Sequence, residues 1–202
     1  SLLEKRIRMS YDPEVANRVL AGLRPFPVAI TTVDGGVANG LMSLSAGSAS
    51  IIPEAPRATI SLTKYNKTHD MVVNSGLFVM HMLSAEADRL DKSLEILMTL
   101  GGSSGRDGDK IGKLRTKTGE TGAPILLDAH SYVEARVVGT LDVEESSIFV
   151  GDVVASEILN DGQRLRIGEA WGKLPADWIA QYDANHHPQL ENARARRFGA
   201  KA

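Results

Sequence analysis

Alternating hydrophobic and polar positions recur through the first three quarters of the chain and predict β-strands. Short runs rich in β-branched residues, bounded by Gly, Pro, Asn or Asp, are typical of strands. The predicted strands are residues 28–33, 37–41, 57–62, 77–83, 133–141 and 148–158. Asp34-Gly35-Gly36 is a turn signal that joins the first two strands as a hairpin. Residues 144–147 are predicted to turn between the last two.

Helical signals are fewer than strand signals and lie between the predicted hairpins. Thr68 or Asp70 is predicted to cap a short helix that runs to Asn74 and ends at Ser75-Gly76. A second helix is predicted from apolar residues at helical spacing, which are Leu90, Leu94, Leu97 and Met98. Because no regular βαβ alternation is present, the pattern favours an antiparallel barrel or sheet with peripheral helices.

The two ends of the chain have weaker patterns. Residues 1–22 mix charged and apolar residues and predict a short helix or an extended arm. Residues 23–160 form the predicted barrel domain, and residues 161–202 a C-terminal extension that packs on the barrel or on a dimer partner. Within that extension, His186-His187 before Pro188 predicts a surface turn, and residues 193–199 predict a solvated tail.

Composition restricts the classes of function. The chain has 202 residues, of which 43% are hydrophobic and 24% charged, enough for one domain with a real core. A net charge of -2 gives no electrostatic case for nucleic acid or an anionic membrane. No apolar run approaches the roughly 20 residues of a spanning helix, and the N-terminus lacks a signal-peptide pattern. With no cysteine, thiol chemistry is excluded, and we expect a cytoplasmic protein without membrane or nucleic-acid partners.

Residues 39–50, NGLMSLSAGSAS, are the first candidate for chemistry. They carry four serines and no charge, and Lys64, Lys67, Thr68 and His69 follow shortly afterwards. Neutral hydroxyls and close backbone amides suit a flat polar ring, and cations with a hydroxyl suit a phosphate. The alternatives are a Ser/Gly-rich surface loop and a solvated turn with a helix cap.

A glycine-rich segment, residues 101–110, is the second candidate, because Arg106 and Lys110 within it suggest anion handling. The alternative is a flexible linker. The spacing matches neither a P-loop nor a dinucleotide fingerprint. The chain also lacks the motifs of zinc peptidases and of Gly-x-Ser-x-Gly hydrolases, so no metal site is predicted.

The order of these motifs resembles the flavin reductase-like, FMN-binding split-barrel family over roughly residues 20–160. The matching segments are 27–32, 38–40, the serine stretch, 53–56, 60–62, Lys64, 68–69, 75–78, 81–83, 104–110, 122–124 and 148–153. The resemblance implies a mainly β fold, a six-stranded antiparallel split barrel that dimerises, with FMN near the subunit interface.

The resemblance also implies the cofactor-binding residues. Those that would hold the flavin ring and ribityl chain are Met42, Ser43, Leu44 and Ser45, with Ser48, Ala49 and Ser50 close by. The phosphate would meet Lys64, Thr68 and His69, while Arg106 and Lys110 would approach from the mobile loop. FAD is the alternative flavin, and the flavin itself would carry the electrons.

The family often has Gly-Asp-His before its last strand, and the histidine position falls on Ser146 here, after Glu144-Glu145. The function implied is an oxidoreductase that passes hydride from NAD(P)H to flavin, with no catalytic side chain assigned. Reduced flavin would serve a flavin-dependent monooxygenase or another electron acceptor. Ser146 keeps a second hypothesis open, an FMN-binding electron carrier without efficient NAD(P)H oxidation. A barrel that binds no flavin and has a structural role is the third.

Overall fold

A computed structural model describes residues 12–199 as a curled antiparallel sheet with helices around it. The strands are β1 (Val28–Asp34), β2 (Val37–Ser43), β3 (Ala46–Ser48), β4 (Arg57–Thr63), β5 (Leu77–Met82), β6 (Thr116–Thr118), β7 (Pro124–Leu126), β8 (Ser131–Asp142) and β9 (Ser146–Ile158). The helices are α1 (Pro13–Ala21), α2 (Lys67–Ser75), α3 (Leu90–Gly101), α4 (Ile167–Lys173) and α5 (Ala176–Phe198). The predicted mainly β fold with peripheral helices is therefore confirmed.

The main sheet curls because its two edge strands are neighbours in the chain. Its strand order is β2-β1-β5-β8-β9-β4-β3, so β2 and β3 lie at opposite edges. Only Leu44 and Ser45 separate them. Three Cα steps reach at most about 11 Å, so the two edges must come close together. The chain crosses from one edge strand to the other at residues 42–45, which we call the seam. The barrel is split at this place.

Two apolar layers fix this shape. Inside the curl, Ile30, Ile60 and Phe149 are at most 1% exposed and form one cluster. Outside it, the buried face of α3 places Leu97 and Leu100 in a second cluster with Ala29 of β1. Strand β1 thus contributes to both clusters, because alternate residues of a strand point to opposite faces.

Several elements differ from the sequence prediction. The main sheet has seven strands instead of six, because the three-residue β3 pairs with β4. The predicted turn over residues 144–147 was too long at its C-terminal end, since β9 begins at Ser146, which pairs with Thr63 of β4. The short β6–β7 hairpin was not predicted.

The C-terminal segment shows the largest difference. The predicted turn at His186-His187 was wrong, because both residues lie within α5. The predicted solvated tail is exposed from residue 194, but it is helical as far as Phe198. Pro188 inside the helix and a polar surface on most sides hid the helical pattern. Residues 1–11 of the predicted N-terminal arm lie outside the described residues, and α1 covers most of the remainder. None of the helices within residues 12–199 is long and apolar enough to cross a membrane.

Candidate functional site

A cavity of about 680 Å³ lies beside the seam, at the place where the serine stretch crosses between the edge strands. Its walls come from β2, β4, α2, the end of α3 with the following loop, and α5. The main lining residues are Arg24, Asn39, Leu41–Ser45, Ser61–Thr63, Tyr65–Thr68, Leu100–Gly105, Asp107, Lys110, Gln181, Tyr182, Ala184–His186, Pro188 and Gln189. This volume is within the range of small-molecule and cofactor sites.

The seam residues Met42, Ser43, Leu44 and Ser45 all line the cavity. Their backbone is held by two short hydrogen bonds. The Ser45 N–H donates to the Ser43 hydroxyl at 3.0 Å, and the Ser61 N–H donates to the Ser45 carbonyl at 2.8 Å. The chain crosses the seam in a fixed conformation, so the hydroxyls and peptide groups of this wall are preorganised.

The second half of the serine stretch lies elsewhere. Ser48 ends β3, and the Ala49 N–H donates to the Arg57 carbonyl at 2.9 Å, so this part continues the outer edge of the sheet. Ser48, Ala49 and Ser50 are not among the cavity-lining residues. The structure thus separates two halves that the sequence placed together.

The cations near the start of α2 are also separated. Lys64 forms an ion pair with Asp142 at 2.5 Å and does not line the cavity. Lys67, at the first position of α2, does line it, and its Nζ donates to the Gly105 carbonyl at 3.2 Å. Thr68 lines the cavity as well, and its hydroxyl accepts from Asn39 Nδ2 at 3.2 Å.

His69 takes part in a buried hydrogen-bond chain and does not line the cavity. Its Nδ1 lies 3.0 Å from Asp70 Oδ1, and its Nε2 lies 3.0 Å from Ser147 Oγ. A carboxylate only accepts hydrogen bonds, so Nδ1 carries the hydrogen and a neutral ring accepts from the Ser147 hydroxyl. The Asp-His-Ser order matches a hydrolase relay, but Ser147 is 4% exposed and is not among the residues of the seam cavity, so the chain ties α2 to β9.

The loop after α3 closes one side of the cavity. Lys110 donates from Nζ to the carbonyls of Leu100 and Ser103, both at 3.0 Å, and burial lowers its pKa to about 8. Its positive charge lies at the C-terminus of α3, where the helix dipole favours a cation. Gly105 rests directly on Asn39, and a side chain at this glycine would collide with the amide.

Arg106 points away from the cavity wall. Its guanidinium donates to Asp70 at 3.3 Å and to the Tyr65 carbonyl at 3.4 Å. It lines an adjoining open groove that shares Lys67 and Gly105 with the main cavity. Arg106 therefore supports the loop from outside in the conformation described here.

Helix α5 supplies a wall that the sequence did not predict. Trp178 and Tyr182 stack at 5.2 Å, and Trp171 of α4 meets both rings edge-on. Trp178 packs against Gly101 and Gly102, where an added Cβ on Gly102 would lie 2.7 Å from the indole nitrogen. The spacing of four residues from Trp178 to Tyr182 to His186 is the sequence signal that could have revealed this helical face.

The charges of the lining favour an anion. Arg24, Lys67 and Lys110 line the cavity, against one carboxylate, Asp107, among the described residues. Cations on one side and neutral hydroxyls and amides at the seam fit a phosphorylated ligand with a flat polar ring, as FMN is. Across residues 12–199, no three His, Asp or Glu side chains converge as a metal ion would require.

Comparison with known proteins agrees with this geometry. Residues 22–168 match the family model described as "Flavin reductase like domain". A ferric-chelate reductase (NAD(P)H) of Archaeoglobus fulgidus is 33% identical over 107 residues, which are 52% of this chain and 60% of that protein. A high molecular weight rubredoxin of Moorella thermoacetica is 32% identical over 114 residues, which are 56% of this chain and 48% of that protein.

The fold is also that of solved structures. An FMN-binding protein from Thermus thermophilus superposes with a TM-score of 0.59 at 22% identity, over 67% of this chain and 71% of that one. The chain spans only 60% and 48% of the two curated relatives, so their whole-protein activities do not transfer with the match.

Proposed function

Because this chain belongs to the flavin reductase-like family, we propose that it is an oxidoreductase that binds FMN in the seam cavity and accepts hydride from NAD(P)H. The observation that carries the proposal is the cavity itself, with a fixed polar strand crossing at residues 42–45 on one wall and cations on another. The NAD(P)H-dependent activity named for the Archaeoglobus relative supports the choice of hydride donor.

The residues have separate roles in this proposal. The seam residues would bind the flavin ring through their hydroxyls and peptide groups, and Thr68 would stand near the ribityl phosphate. Lys67 and Arg24 would neutralise the phosphate, because both line the cavity. The sequence-based assignment of Lys64, His69 and Arg106 to the phosphate stays a prediction, although all three already have protein partners in the structure.

When bound, the flavin would take a hydride from NAD(P)H, that is, two electrons and one proton. A second proton would come from water. The protein need not supply an acid or a base for this step. What its residues contribute is alignment of the two rings and exclusion of water. The loop of residues 102–110 and helix α5 cover the cavity and would provide that exclusion.

An FMN-binding electron carrier without efficient NAD(P)H oxidation is the second candidate. It is favoured by Ser146 at the family's histidine position. The electron acceptor is proposed to be a flavin-dependent monooxygenase or, as the name of the Archaeoglobus relative suggests, a ferric chelate.

We also propose a homodimer. Exposed apolar side chains on the sheet, among them Val138, Leu141 and Ile158 at 53%, 60% and 67% exposure, suit burial against a second copy. Light scattering on the purified protein would measure its mass, and a monomer at micromolar concentration would contradict this part.

The test begins with the visible spectrum of the protein saturated with FMN. We expect flavin absorption to remain after gel filtration, and a gain in unfolding free energy of about 2.7 kcal/mol at a hundredfold excess of FMN over its Kd. Anaerobic addition of NADH or NADPH should then bleach the flavin band. If FMN binds but its band is not bleached, the electron carrier is the function that remains. If FMN does not bind at all, the flavin site is refuted.

A further inference from the structure

Helix α5 bridges the seam cavity and is anchored on both sides of it. Trp178 Nε1 donates to the Met98 carbonyl at 3.3 Å, and Asn185 Nδ2 donates to the Gly102 carbonyl at 3.1 Å, so the first half is held on α3. At the other end, Arg197 reaches Glu145 in the β8–β9 turn at 3.4 Å. The helix lies beyond residues 22–168, so this wall is outside the part matched by the family.

Pro188 removes one backbone hydrogen-bond donor from the part of α5 that lines the cavity. A helical residue normally donates its N–H to the carbonyl four residues earlier, and proline has no N–H. The carbonyl that loses its donor belongs to Ala184, and both Ala184 and Pro188 line the cavity. The helix therefore lacks one of its regular backbone hydrogen bonds beside the cavity.

Two cavity-lining side chains near Pro188, His186 and Gln189, are available to a ligand. The His186 ring lies parallel to Tyr182, with centroids 6.4 Å apart, and its nitrogens form no hydrogen bond with any residue from 12 to 199. Gln189 makes one long bond, from Nε2 to the Asn185 carbonyl at 3.5 Å. Asn185 differs, because its amide donates to Gly102 and accepts from Gln181 at 2.9 Å.

These groups together complement a primary carboxamide on a flat ring. A carboxamide needs an acceptor for its NH₂ and a donor for its oxygen, and the Gln189 side-chain amide has both, since its Oε1 makes no hydrogen bond with any residue from 12 to 199. The His186 ring continues the flat aromatic face that begins at Trp178 and Tyr182. The nicotinamide head of NAD(P)H is a carboxamide on a flat ring, whereas its adenosine half has no such group.

We propose that α5 is the nicotinamide-binding element for the hydride donor, with His186 packing on the nicotinamide ring and Gln189 binding its carboxamide. This inference rests on the proposed function. It assigns a direct role in donor binding to a helix outside the family-matched region.

The test compares His186→Ala with His187→Ala in FMN-loaded protein. His187 is the adjacent exposed residue and does not line the cavity, so it is the matched control. Calorimetry would give the Kd for NAD⁺, for NADP⁺ and for ADP-ribose, which lacks the nicotinamide. We expect His186→Ala and Gln189→Ala each to weaken NAD⁺ and NADP⁺ alike by about fivefold to tenfold, because both carry the same nicotinamide. ADP-ribose and FMN should keep their wild-type Kd, and His187→Ala should behave as wild type.

Each other outcome counts against the inference. Equal losses for dinucleotide and ADP-ribose, or a weakened FMN complex, would mean that α5 reads another part of the ligands. An unchanged Kd in both cavity-facing variants would overturn the inference while leaving the proposed function intact. If wild-type protein binds FMN but is not reduced by either nucleotide and binds neither, the proposed hydride transfer fails, and this inference fails with it.

Discussion

The barrel and helix α5 both contribute walls to the same cavity, but they are held in place by different means. In the barrel, polar groups such as His81 and Glu134 are at most 1% exposed and have complete sets of hydrogen-bond partners. In α5 no residue is buried, and a few aromatic and amide contacts hold it. The comparison suggests that the barrel fixes the flavin seat, whereas α5 can change its sequence, and with it the recognition of a second ligand, at little cost to the fold.

The largest expected effect is on the pH dependence of barrel stability through His81. Its Nε2 accepts from the Leu126 N–H at 3.0 Å, so Nδ1 carries the hydrogen and donates to the Ala29 carbonyl at 3.1 Å. Burial lowers the pKa of His81 from 6.5 to about 4. Between these values the unfolded chain binds a proton that the folded chain does not. Stability should therefore fall by about 3 kcal/mol as the pH drops from 6.5 to 4.

Urea unfolding at several pH values would measure this effect. His81→Gln should be less stable at neutral pH but should lose less on acidification than wild type. His187→Gln, on the exposed side of α5, should retain the wild-type pH dependence. A wild-type slope in His81→Gln would show that other groups cause the acid sensitivity.

A smaller loss is expected when the buried carboxylate of Glu134 becomes an amide. Its oxygens accept from the Glu120 N–H at 3.0 Å and from the N–H and hydroxyl of Thr121 at 2.8 and 2.7 Å. In Glu134→Gln, an NH₂ group would face one of these donors, which should cost about 2 kcal/mol of unfolding free energy. Glu157→Gln, at a half-exposed ion pair with Lys117, should cost much less and is the control. Equal costs would contradict the buried-acceptor argument.

The third prediction concerns the anchoring of α5. Trp178→Ala removes the ring that packs on Gly101 and Gly102 and stacks on Tyr182. Local opening of α5 should become easier by about 1.5 kcal/mol, so amide exchange in residues 176–198 should accelerate about tenfold. Exchange in β5 and β8 should not change. If the barrel strands also exchange faster, α5 is part of the cooperative core and the distinction between the two regions is wrong.

The smallest effect is expected for the phosphate contact within the flavin seat. Lys67→Ala should weaken FMN by about 1 kcal/mol, or about fivefold, because it removes one cation from a partly solvated anion site. Riboflavin, which has no phosphate, should bind Lys67→Ala and wild type equally. Lys64→Ala is the comparison, since Lys64 is engaged by Asp142. A larger loss for Lys64→Ala than for Lys67→Ala would restore the sequence-based assignment of the phosphate site.

Most of the barrel could be predicted from the sequence, and the physical reason is periodicity. Strand β4 alternates buried and more exposed positions, and strand β1 is a continuous buried run. Both patterns can be recognised from the residues of the strand alone. Helix α5 was missed because it is polar on most sides and contains Pro188, so its own sequence carries little of the information that makes it helical. Its stability comes from packing Trp178 on a glycine pair about 75 residues away in the chain.

The sequence by itself determined the antiparallel barrel, the polar serine stretch at residues 39–50 and the supply of cations near α2. Only the tertiary structure decided which of these groups meet. Closure of the seam turns residues 42–45 into the cavity and leaves Ser48 on the sheet edge. Lys67, at the start of α2, lines the cavity, whereas Lys64, in the turn before it, pairs with Asp142. The wall formed by α5 is likewise a long-range result. Which residues enter the cavity depends on contacts between distant segments. Neither hydrophobic periodicity nor motif spacing encodes those contacts.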